Sequence, residues 1–344
     1  MKPYVTVNYF SGWWHEREGS CKWMDPIDGH DWRPEYVSRL PLHGFYNSQE
    51  TTDRDILVAS EHGVDCFQML WYPVDSPDTN IDEPHRVHLN EGIQFFMNSP
   101  YADRMQFMVE YCNHPPFAII DRAEWEKTCA LWADMVAHPS HVKVDGRPLF
   151  KIHGLQFFYQ QCGSDFDAMG EYLEVLKEAV RKTTGKTPLL SAGITGESAE
   201  FLKPFEAYFD YFATYMDMPQ DAVTEQDYPY ERLGDFVLGV AERLGKAGVP
   251  YQPYLPVGWC PHPWHDPRPC YAIPDGAQFE AYAAKMIAML KVYPSLGIHA
   301  GDRVLPAFSI YAWNEFGEGG YLAPTLVEND RKLKGLAAAI AANA

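Results

Sequence analysis

Residues 308–324 read Phe-Ser-Ile-Tyr-Ala-Trp-Asn-Glu-Phe-Gly-Glu-Gly-Gly-Tyr-Leu-Ala-Pro. The first part of this segment is apolar, β-branched and aromatic, which is typical of a buried strand. The strand pattern then stops at two carboxylates, Glu315 and Glu318, which have three glycines between and just after them. Residues three apart on a strand point to opposite faces, so both acids can serve one pocket only if the chain turns between them. Glycine permits such a turn, and the segment therefore predicts a strand that ends in a pair of acids.

The residue types around this pair indicate carbohydrate chemistry. Cleavage of a glycosidic bond needs one carboxyl group to donate a proton and another to accept charge or a proton. Trp313, Asn314 and Tyr321 flank the acids, and they are unusual companions for an ordinary solvated turn. We expect Glu315 and Glu318 to be catalytic, and Trp313, Asn314 and Tyr321 to contact the substrate. A purely turn-forming role for Asn314 is the alternative.

The rest of the chain alternates short apolar runs with amphipathic stretches. Strands are predicted at 4–10, 66–72, 106–112, 149–153, 188–192, 211–216, 251–256 and 304–312. Helices are predicted at 53–61, 123–137, 165–182 (with Asp165 as N-cap), 198–208, 230–247, 276–292 and 333–342. Eight strands that each lead to a helix predict a single-domain α/β protein, a (β/α)8 TIM barrel over residues 1–344. The alternative, an open doubly wound sheet, would need a Gly-rich phosphate loop after the first strand, and none is present.

A barrel of this kind carries its chemistry at the C-terminal ends of its strands. In this chain those ends are residues 11–15, 71–72, 110–113, 153, 193–195, 215–217, 259 and 313–315. The residues that we expect to stack on or surround a sugar are Trp13, Trp14, Trp71, Tyr72 and Trp259. Packing in the core is the alternative for each of these aromatic residues taken alone.

Three polar residues at the same ends are further candidates for binding substrate. They are Glu110, His153 and Asp217. Glu110 could instead pair with a motif acid as a conventional nucleophile, or be a buried charge that is hydrogen-bonded to Tyr or His. His153 could be a satisfied core histidine.

Composition excludes several classes of protein. The net charge of -19 argues against binding of nucleic acid, whose phosphates require clustered Lys and Arg. No window approaches the roughly 20 apolar residues of a membrane span, and the N-terminus has no secretory pattern. We therefore expect a cytoplasmic protein, and a trimmed secreted or periplasmic protein is the alternative. The seven cysteines are scattered without a Cys-x-x-Cys pair, which predicts free thiols in a reducing compartment. No cofactor is expected, and the sequence leaves the oligomeric state open.

Two other kinds of site have weaker support in the sequence. Cys260, His262 and His265, with Cys270, have spacing that could coordinate zinc, but the prolines among them favour a rigid loop that lines the substrate site. Serine hydrolysis is disfavoured because Ser11 and Ser191 lack a nucleophile-elbow motif.

Three blocks of sequence carry a resemblance to a known family. They are Arg-Leu-Pro-Leu-His-Gly-Phe-Tyr at 39–46, Ala-x-x-x-Gly-Val-Asp-x-Phe at 59–67 with Trp71-Tyr72, and Trp-Asn-Glu-x-x-Glu-Gly at 313–319 with Pro324. In these blocks the chain resembles the glycoside hydrolase family 99-like group, which includes WbsX-type proteins. Phe316 and Gly317 stand where that family usually has Trp and His.

The resemblance implies a (β/α)8 barrel that acts on α-linked sugars, with endo-α-mannosidases as the best known members. It implies that Glu318 is the general acid/base and that Glu315 assists attack by the sugar's own 2-hydroxyl. Retention would then proceed through a 1,2-anhydro sugar, with Glu318 protonated and Glu315 ionised at the start. The alternatives are a sugar-transferring enzyme of polysaccharide assembly and a non-catalytic carbohydrate-binding barrel.

Overall fold

The computed structural model describes residues 2–14, 22–25, 27–73 and 88–343. Cys21, one of the seven cysteines, and His15, the last residue of the predicted strand end 11–15, lie outside this part of the chain. The central sheet is built from strands that we label β1 Tyr4–Tyr9, β2 Cys66–Trp71, β3 Gln106–Tyr111, β4 Arg147–Ile152, β5 Leu189–Gly193, β6 Tyr211–Ala213, β7 (in two pieces, Tyr251–Gln252 and Tyr254–Pro256) and β8 Ala307–Tyr311.

The strands close into a barrel through the divided strand β7. Its first piece pairs with β6 and its second piece pairs with β8, and both pairings are parallel. Strand β8 pairs in turn with β1, so the path of hydrogen-bonded strands begins and ends at the same segment of chain. The predicted (β/α)8 barrel is confirmed.

Helices cover the outside of this sheet. They are α1 Gln49–Glu61, α2 Glu91–Asn98, α3 Arg122–Ala137, α4 Leu155–Gln161, α5 Phe166–Thr184, α6 Ala199–Leu202, α7 Tyr230–Lys246, α8 Gly276–Val292 and α9 Arg331–Asn343. Asp165 caps α5 as predicted, since its side chain accepts a hydrogen bond from the amide of Ala168 at 2.8 Å. None of the helices in the described ranges is long and apolar enough to cross a membrane.

The predicted elements differ from the observed ones where proline or a short helix intervenes. The predicted strand 304–312 is divided at Pro306 into Arg303–Leu305, which forms a hairpin with Ile298–Ala300, and the barrel strand β8. Proline has no amide hydrogen to give to a strand ladder. Helices α2 and α4 were not predicted, because their short apolar sequences also fit buried strands.

The prediction of free thiols is wrong for two of the seven cysteines. Cys260 and Cys270 are joined by a disulfide. They are ten positions apart in sequence, and the turn at 262–265 brings the ends of this segment together, which sequence spacing alone did not reveal. Free, buried cysteines in the described ranges are Cys66, Cys112, Cys129 and Cys162. While the disulfide is present, its two sulfur atoms are unavailable as thiolate ligands for zinc.

Candidate functional site

The chain beyond β8 turns back on itself and carries both acids of the motif. Asn314–Glu315 pairs antiparallel with Gly320–Tyr321, so Glu315 lies at the start of a tight hairpin and Glu318 lies in its turn. The predicted turn between the two acids is therefore confirmed. Two glycines are required here by space: a side chain at 317 would meet the ring of Trp264, and one at 320 would meet the ring of Tyr311.

Glu315 is buried beneath this hairpin. Only 5% of the residue is exposed, and the hydroxyl of Tyr215 donates a hydrogen bond to its Oε1 at 2.6 Å. Burial, followed by the negative charge of Glu318, raises the pKa of Glu315 to about 8. A carboxyl group with such a pKa holds a proton at neutral pH.

Glu318 has a different environment. Its side chain is 18% exposed, its Oε2 accepts a hydrogen bond from the hydroxyl of Tyr311, and its Oε1 lies 3.6 Å from Nη2 of Arg268. Burial raises the pKa of Glu318, whereas Tyr311 and Arg268 oppose that rise. Glu318 is thus the member of the pair that lies beside an arginine, whose charge favours the ionised carboxylate.

These contacts allocate the proton of the pair. Glu315 is buried and Glu318 is partly buried, and two such carboxyl groups that sense each other's charge do not both ionise readily, so their titrations are coupled. Glu315 accepts from the neutral donor Tyr215, whereas Glu318 accepts from Tyr311 and also lies beside the cationic Arg268, so these contacts favour the ionised form more at Glu318 than at Glu315. This is the reverse of the starting state implied by the family resemblance.

Two of the predicted aromatic residues lie beside the acids. Tyr72 is close enough for the charges of Glu315 and Glu318 to raise the pKa of its hydroxyl, although burial contributes more. Trp259 packs against Tyr311 with ring centroids 5.8 Å apart, and Arg268 lies 4.4 Å from the centre of its ring. Both are candidates for contact with a sugar.

The structure places other predicted aromatic residues in the protein interior. Trp71 faces the helix layer, where its ring lies 5.0 Å from that of Trp132. Trp313 is fully buried against Phe67, with ring centroids 5.1 Å apart. Both residues lie at the end of a predicted strand, and the sequence there does not show which face of the strand a side chain is on. Neighbouring side chains in a strand point to opposite faces, so a residue at the rim position can still point into the core.

Trp13 and Tyr321 support the hairpin, and Trp14 is buried against another part of the chain. The indole of Trp13 donates a hydrogen bond to the backbone oxygen of Asn314 at 2.9 Å. Tyr321 packs against Phe316, with ring centroids 5.8 Å apart. Trp14 stacks on His88 at 5.9 Å and is 5% exposed.

Asn314 anchors the hairpin to the first strand. Its Oδ1 accepts a hydrogen bond from the amide of Phe10 at 2.8 Å, and its Nδ2 donates one to the oxygen of Phe10 at 2.7 Å. Both ends of the amide are therefore engaged by backbone. This geometry favours the structural alternative for Asn314 over binding of a sugar hydroxyl.

Glu110 belongs to a buried polar network inside the barrel. Its Oε1 lies 3.0 Å from Nζ of Lys151 and 2.8 Å from Nδ1 of His153, and its Oε2 accepts a hydrogen bond from Asn8 at 3.0 Å. Burial alone would raise the pKa of Glu110, but Lys151 and His153 hold it below the ordinary value. Glu110 is thus a paired, ionised carboxylate, which agrees with the alternative of a satisfied buried charge.

His153 connects that network to the acid pair. Its ring lies 4.7 Å from the ring of Tyr215, the tyrosine that binds Glu315. The side chain is 16% exposed. His153 therefore lies at the C-terminal rim, where it was predicted, and its Nδ1 is paired with Glu110.

Asp217 lies near a second acid on the same rim. Burial raises the pKa of Asp217 to about 6, and the charge of Glu197 contributes. Glu197, which was not predicted, accepts a hydrogen bond from Nε2 of Gln156 at 2.8 Å. The two acids follow β6 and β5, respectively.

The residues missed by sequence reasoning are the partners of the acids. Tyr215 and Tyr311 end or follow strands, so the rim rule could have singled them out. Arg268 follows a proline-rich loop, and Lys151 lies within a strand that otherwise resembles core. No sequence pattern pointed to either of them.

Several solved structures that share the fold are described as glycoside hydrolases or glycoside hydrolase-like proteins. A glycoside hydrolase-like protein superposes with a TM-score of 0.67 at 12% identity, over 98% of this chain and 94% of that one. The GH99 endo-alpha-mannosidase from Bacteroides thetaiotaomicron gives 0.64 at 15% identity, over 99% and 97%. GH5_18 from Streptomyces cattleya, in complex with GlcNAc, gives 0.51 at 12% identity, over 99% and 80%.

No protein-family model matches the chain, and no curated protein matches it in sequence. At these identities a structural likeness establishes the fold. The predicted likeness to family 99 is confirmed at that level. The chain has the (β/α)8 fold of the GH99 endo-alpha-mannosidase over nearly the full length of both chains.

Proposed function

We propose that this protein is a retaining glycoside hydrolase that acts on an α-linked glycan, with Glu315 and Glu318 as its catalytic pair. The observation that carries the proposal is the hairpin that brings two carboxyl groups with raised pKa values, one against the hydroxyl of Tyr215 and one beside Arg268, to the C-terminal rim of the barrel. Such a pair supplies the proton donor and the negative charge that glycosidic cleavage requires. The fold shared with the family 99 endo-α-mannosidase supports an α-mannoside-like substrate.

The electrostatics of the pair support two assignments of roles. In the assignment implied by the resemblance, Glu318 protonates the leaving oxygen while Glu315 removes the proton of the sugar's 2-hydroxyl, and a 1,2-anhydro sugar forms. The shared proton must then move from Glu315 to Glu318 when the substrate binds. In the reversed assignment, Glu315 is the acid and Glu318 is the basic or nucleophilic carboxylate. The contact of Arg268 with Glu318 favours this second assignment.

A panel of α- and β-linked oligosaccharides tests the activity. Wild-type protein should release sugar from an α-linked substrate with retention at the anomeric carbon, measured by proton NMR of the first product. Glu315→Gln and Glu318→Gln should each abolish release, whereas Glu242→Gln, on an exposed helix face beside Lys246, should cleave like wild type. Binding of a glycan without cleavage, unchanged in both active-site variants, would indicate a carbohydrate-binding barrel instead.

Activated substrates distinguish the two assignments. An aryl glycoside with a good leaving group needs little help from a general acid. The Gln variant of the acid should therefore retain much of its activity on this substrate, while the variant of the other carboxylate should be inactive on both kinds of substrate. Greater retention by Glu315→Gln would support the reversed roles.

A further inference from the structure

Three neighbours, Asp266, Trp259 and Glu318, contact the guanidinium of Arg268. Its Nε and Nη2 donate to Oδ2 of Asp266 at 2.8 and 2.6 Å. Its guanidinium lies 4.4 Å from the centre of the Trp259 ring, and Nη2 lies 3.6 Å from Oε1 of Glu318. A side chain that is 47% exposed would otherwise sample many rotamers, so these contacts define where its charge lies.

The segment that carries Arg268 is fastened to the acid hairpin at its base. The disulfide joins Cys260 to Cys270, two residues beyond Arg268. The amide of Cys260 donates to the backbone oxygen of Glu318 at 2.6 Å. Arg39 adds a bridge, since its Nη1 donates to the oxygens of Cys260 at 2.8 Å and Gly317 at 3.2 Å. The disulfide-closed segment 260–270 and the acid hairpin therefore form one packed unit.

We propose that Arg268 is a positioning residue that keeps Glu318 ionised and directs the proton of the pair to Glu315, and that the disulfide-closed segment 260–270 holds Arg268 in place. The proposal rests on the proposed function for its catalytic meaning. The allocation of the proton itself is a property of the protein without substrate.

The asymmetry between the two acids supports this role. Each acid accepts a hydrogen bond from one tyrosine hydroxyl, so the tyrosines alone would stabilise the ionised forms of the two acids to a similar extent. Of the two, only Glu318 also has an ion pair with an arginine among the described residues. The charged and titratable groups that influence Glu318 are Glu315, Lys22, Asp266, Arg268, Tyr311, Tyr72 and Tyr215. Lys22 favours the ionised form of both acids, so it does not select between them.

Direct titration of the glutamates tests the allocation without any substrate. Protein labelled with carbon-13 at the glutamate carboxyl carbon is titrated by NMR, and Glu315→Gln and Glu318→Gln assign the two signals. In Arg268→Gln the Glu318 signal should titrate about one pH unit or more higher than in wild type, as expected when an opposite charge within ~4–6 Å is removed. Arg268→Lys should show a smaller increase, because it keeps the charge but loses the paired contacts with Asp266.

Arg232 offers a matched control. Its guanidinium lies 4.0 Å from the centre of the Tyr228 ring and its Nη2 lies 3.0 Å from Asp221, which repeats the setting of Arg268 away from the acids. Arg232→Gln should leave both glutamate titrations unchanged. An unchanged Glu318 titration in Arg268→Gln would overturn the proposal, whether or not any glycan is cleaved.

The disulfide is tested in the same way. Cys260→Ser/Cys270→Ser, and wild type treated with a reductant, should both shift the Glu318 titration in the direction of Arg268→Gln. The triple variant should show no further shift, because the disulfide would act through Arg268. A full additional shift in the triple variant would show that the disulfide acts independently. If the titrations shift as expected but no substrate is cleaved, the proposed hydrolase activity fails and the positioning role stands.

Discussion

The hydroxyl of Tyr215 lies 2.6 Å from Oε1 of Glu315 and joins the loop after β6 to the hairpin after β8. The Tyr215 ring also packs on that of His153, which binds the Glu110–Lys151 pair inside the barrel. One of the two candidate catalytic acids is thus linked, through side chains, to the polar network below it. The other acid is linked to the outer segment 260–270 through Arg268.

Removing the Tyr215 hydroxyl should raise the pKa of Glu315. The hydrogen bond stabilises the ionised form, so in Tyr215→Phe the pKa should rise beyond its value of about 8. The corresponding limb of the pH dependence of kcat/KM should move to higher pH, with activity lowered about tenfold or more. Tyr282→Phe, which removes a similar bond to Asp235 at 2.7 Å, is the control and should leave the profile in place.

Neutralising Glu315 should stabilise the protein at alkaline pH. Because the folded-state pKa is raised from 4.5 to about 8, the folded state binds more protons than the unfolded state between these values. The stability contributed by this group therefore falls as pH rises from about 4.5 to 8. Glu315→Gln should raise Tm relative to wild type at pH 8.5 and should raise it less at pH 5. An equal difference at both pH values would contradict the buried, raised-pKa carboxyl.

Lys151 should be essential to stability rather than to catalysis. Lys151→Met leaves Glu110 buried without its cation, which typically costs about 3–5 kcal/mol in the free energy of unfolding. Glu110→Gln/Lys151→Met removes both charges and should recover much of that loss. Denaturant unfolding of both single variants and the double variant measures the coupling. Additive losses would show that the two side chains do not form a pair.

The barrel and the acid pair could be predicted from the sequence because each produces a recognisable pattern within a short stretch of residues. Continuous apolar runs indicate buried parallel strands, and an acid pair after the last run indicates the rim. Glu315 and Glu318 could be placed in this way. Arg268, the ion-pair partner of Glu318, could not be placed, since it approaches from a segment that is closed by a disulfide, which the spacing of the cysteines did not reveal.

The sequence also could not show which of the aromatic residues at the strand ends face the acid pair. A tryptophan at a strand end faces the rim or the helix layer according to the register of the pleat, and a one-residue difference exchanges the two. Trp71 faces the helix layer, while Tyr72, one residue later, lies close enough to the acids to sense their charge. Sequence spacing indicated that aromatic residues gather at the rim but did not fix which of them face inward.

The glycine between the two acids should be required for activity. A β-carbon at 317 would lie 2.1 Å from Cζ2 of Trp264, whose indole donates to the oxygen of Lys22 at 3.0 Å. Gly317→Ala must therefore displace the hairpin or the tryptophan, and a displacement of about 1 Å in a catalytic group can lower kcat by about 100-fold. Gly239→Ala, on an exposed helix position with open space around it, should keep full activity and gain about 0.5–1 kcal/mol in stability. Steady-state kinetics of the two variants measures the effect on kcat. Wild-type activity in Gly317→Ala would show that the positions of the acids do not depend on the close contact between Gly317 and Trp264.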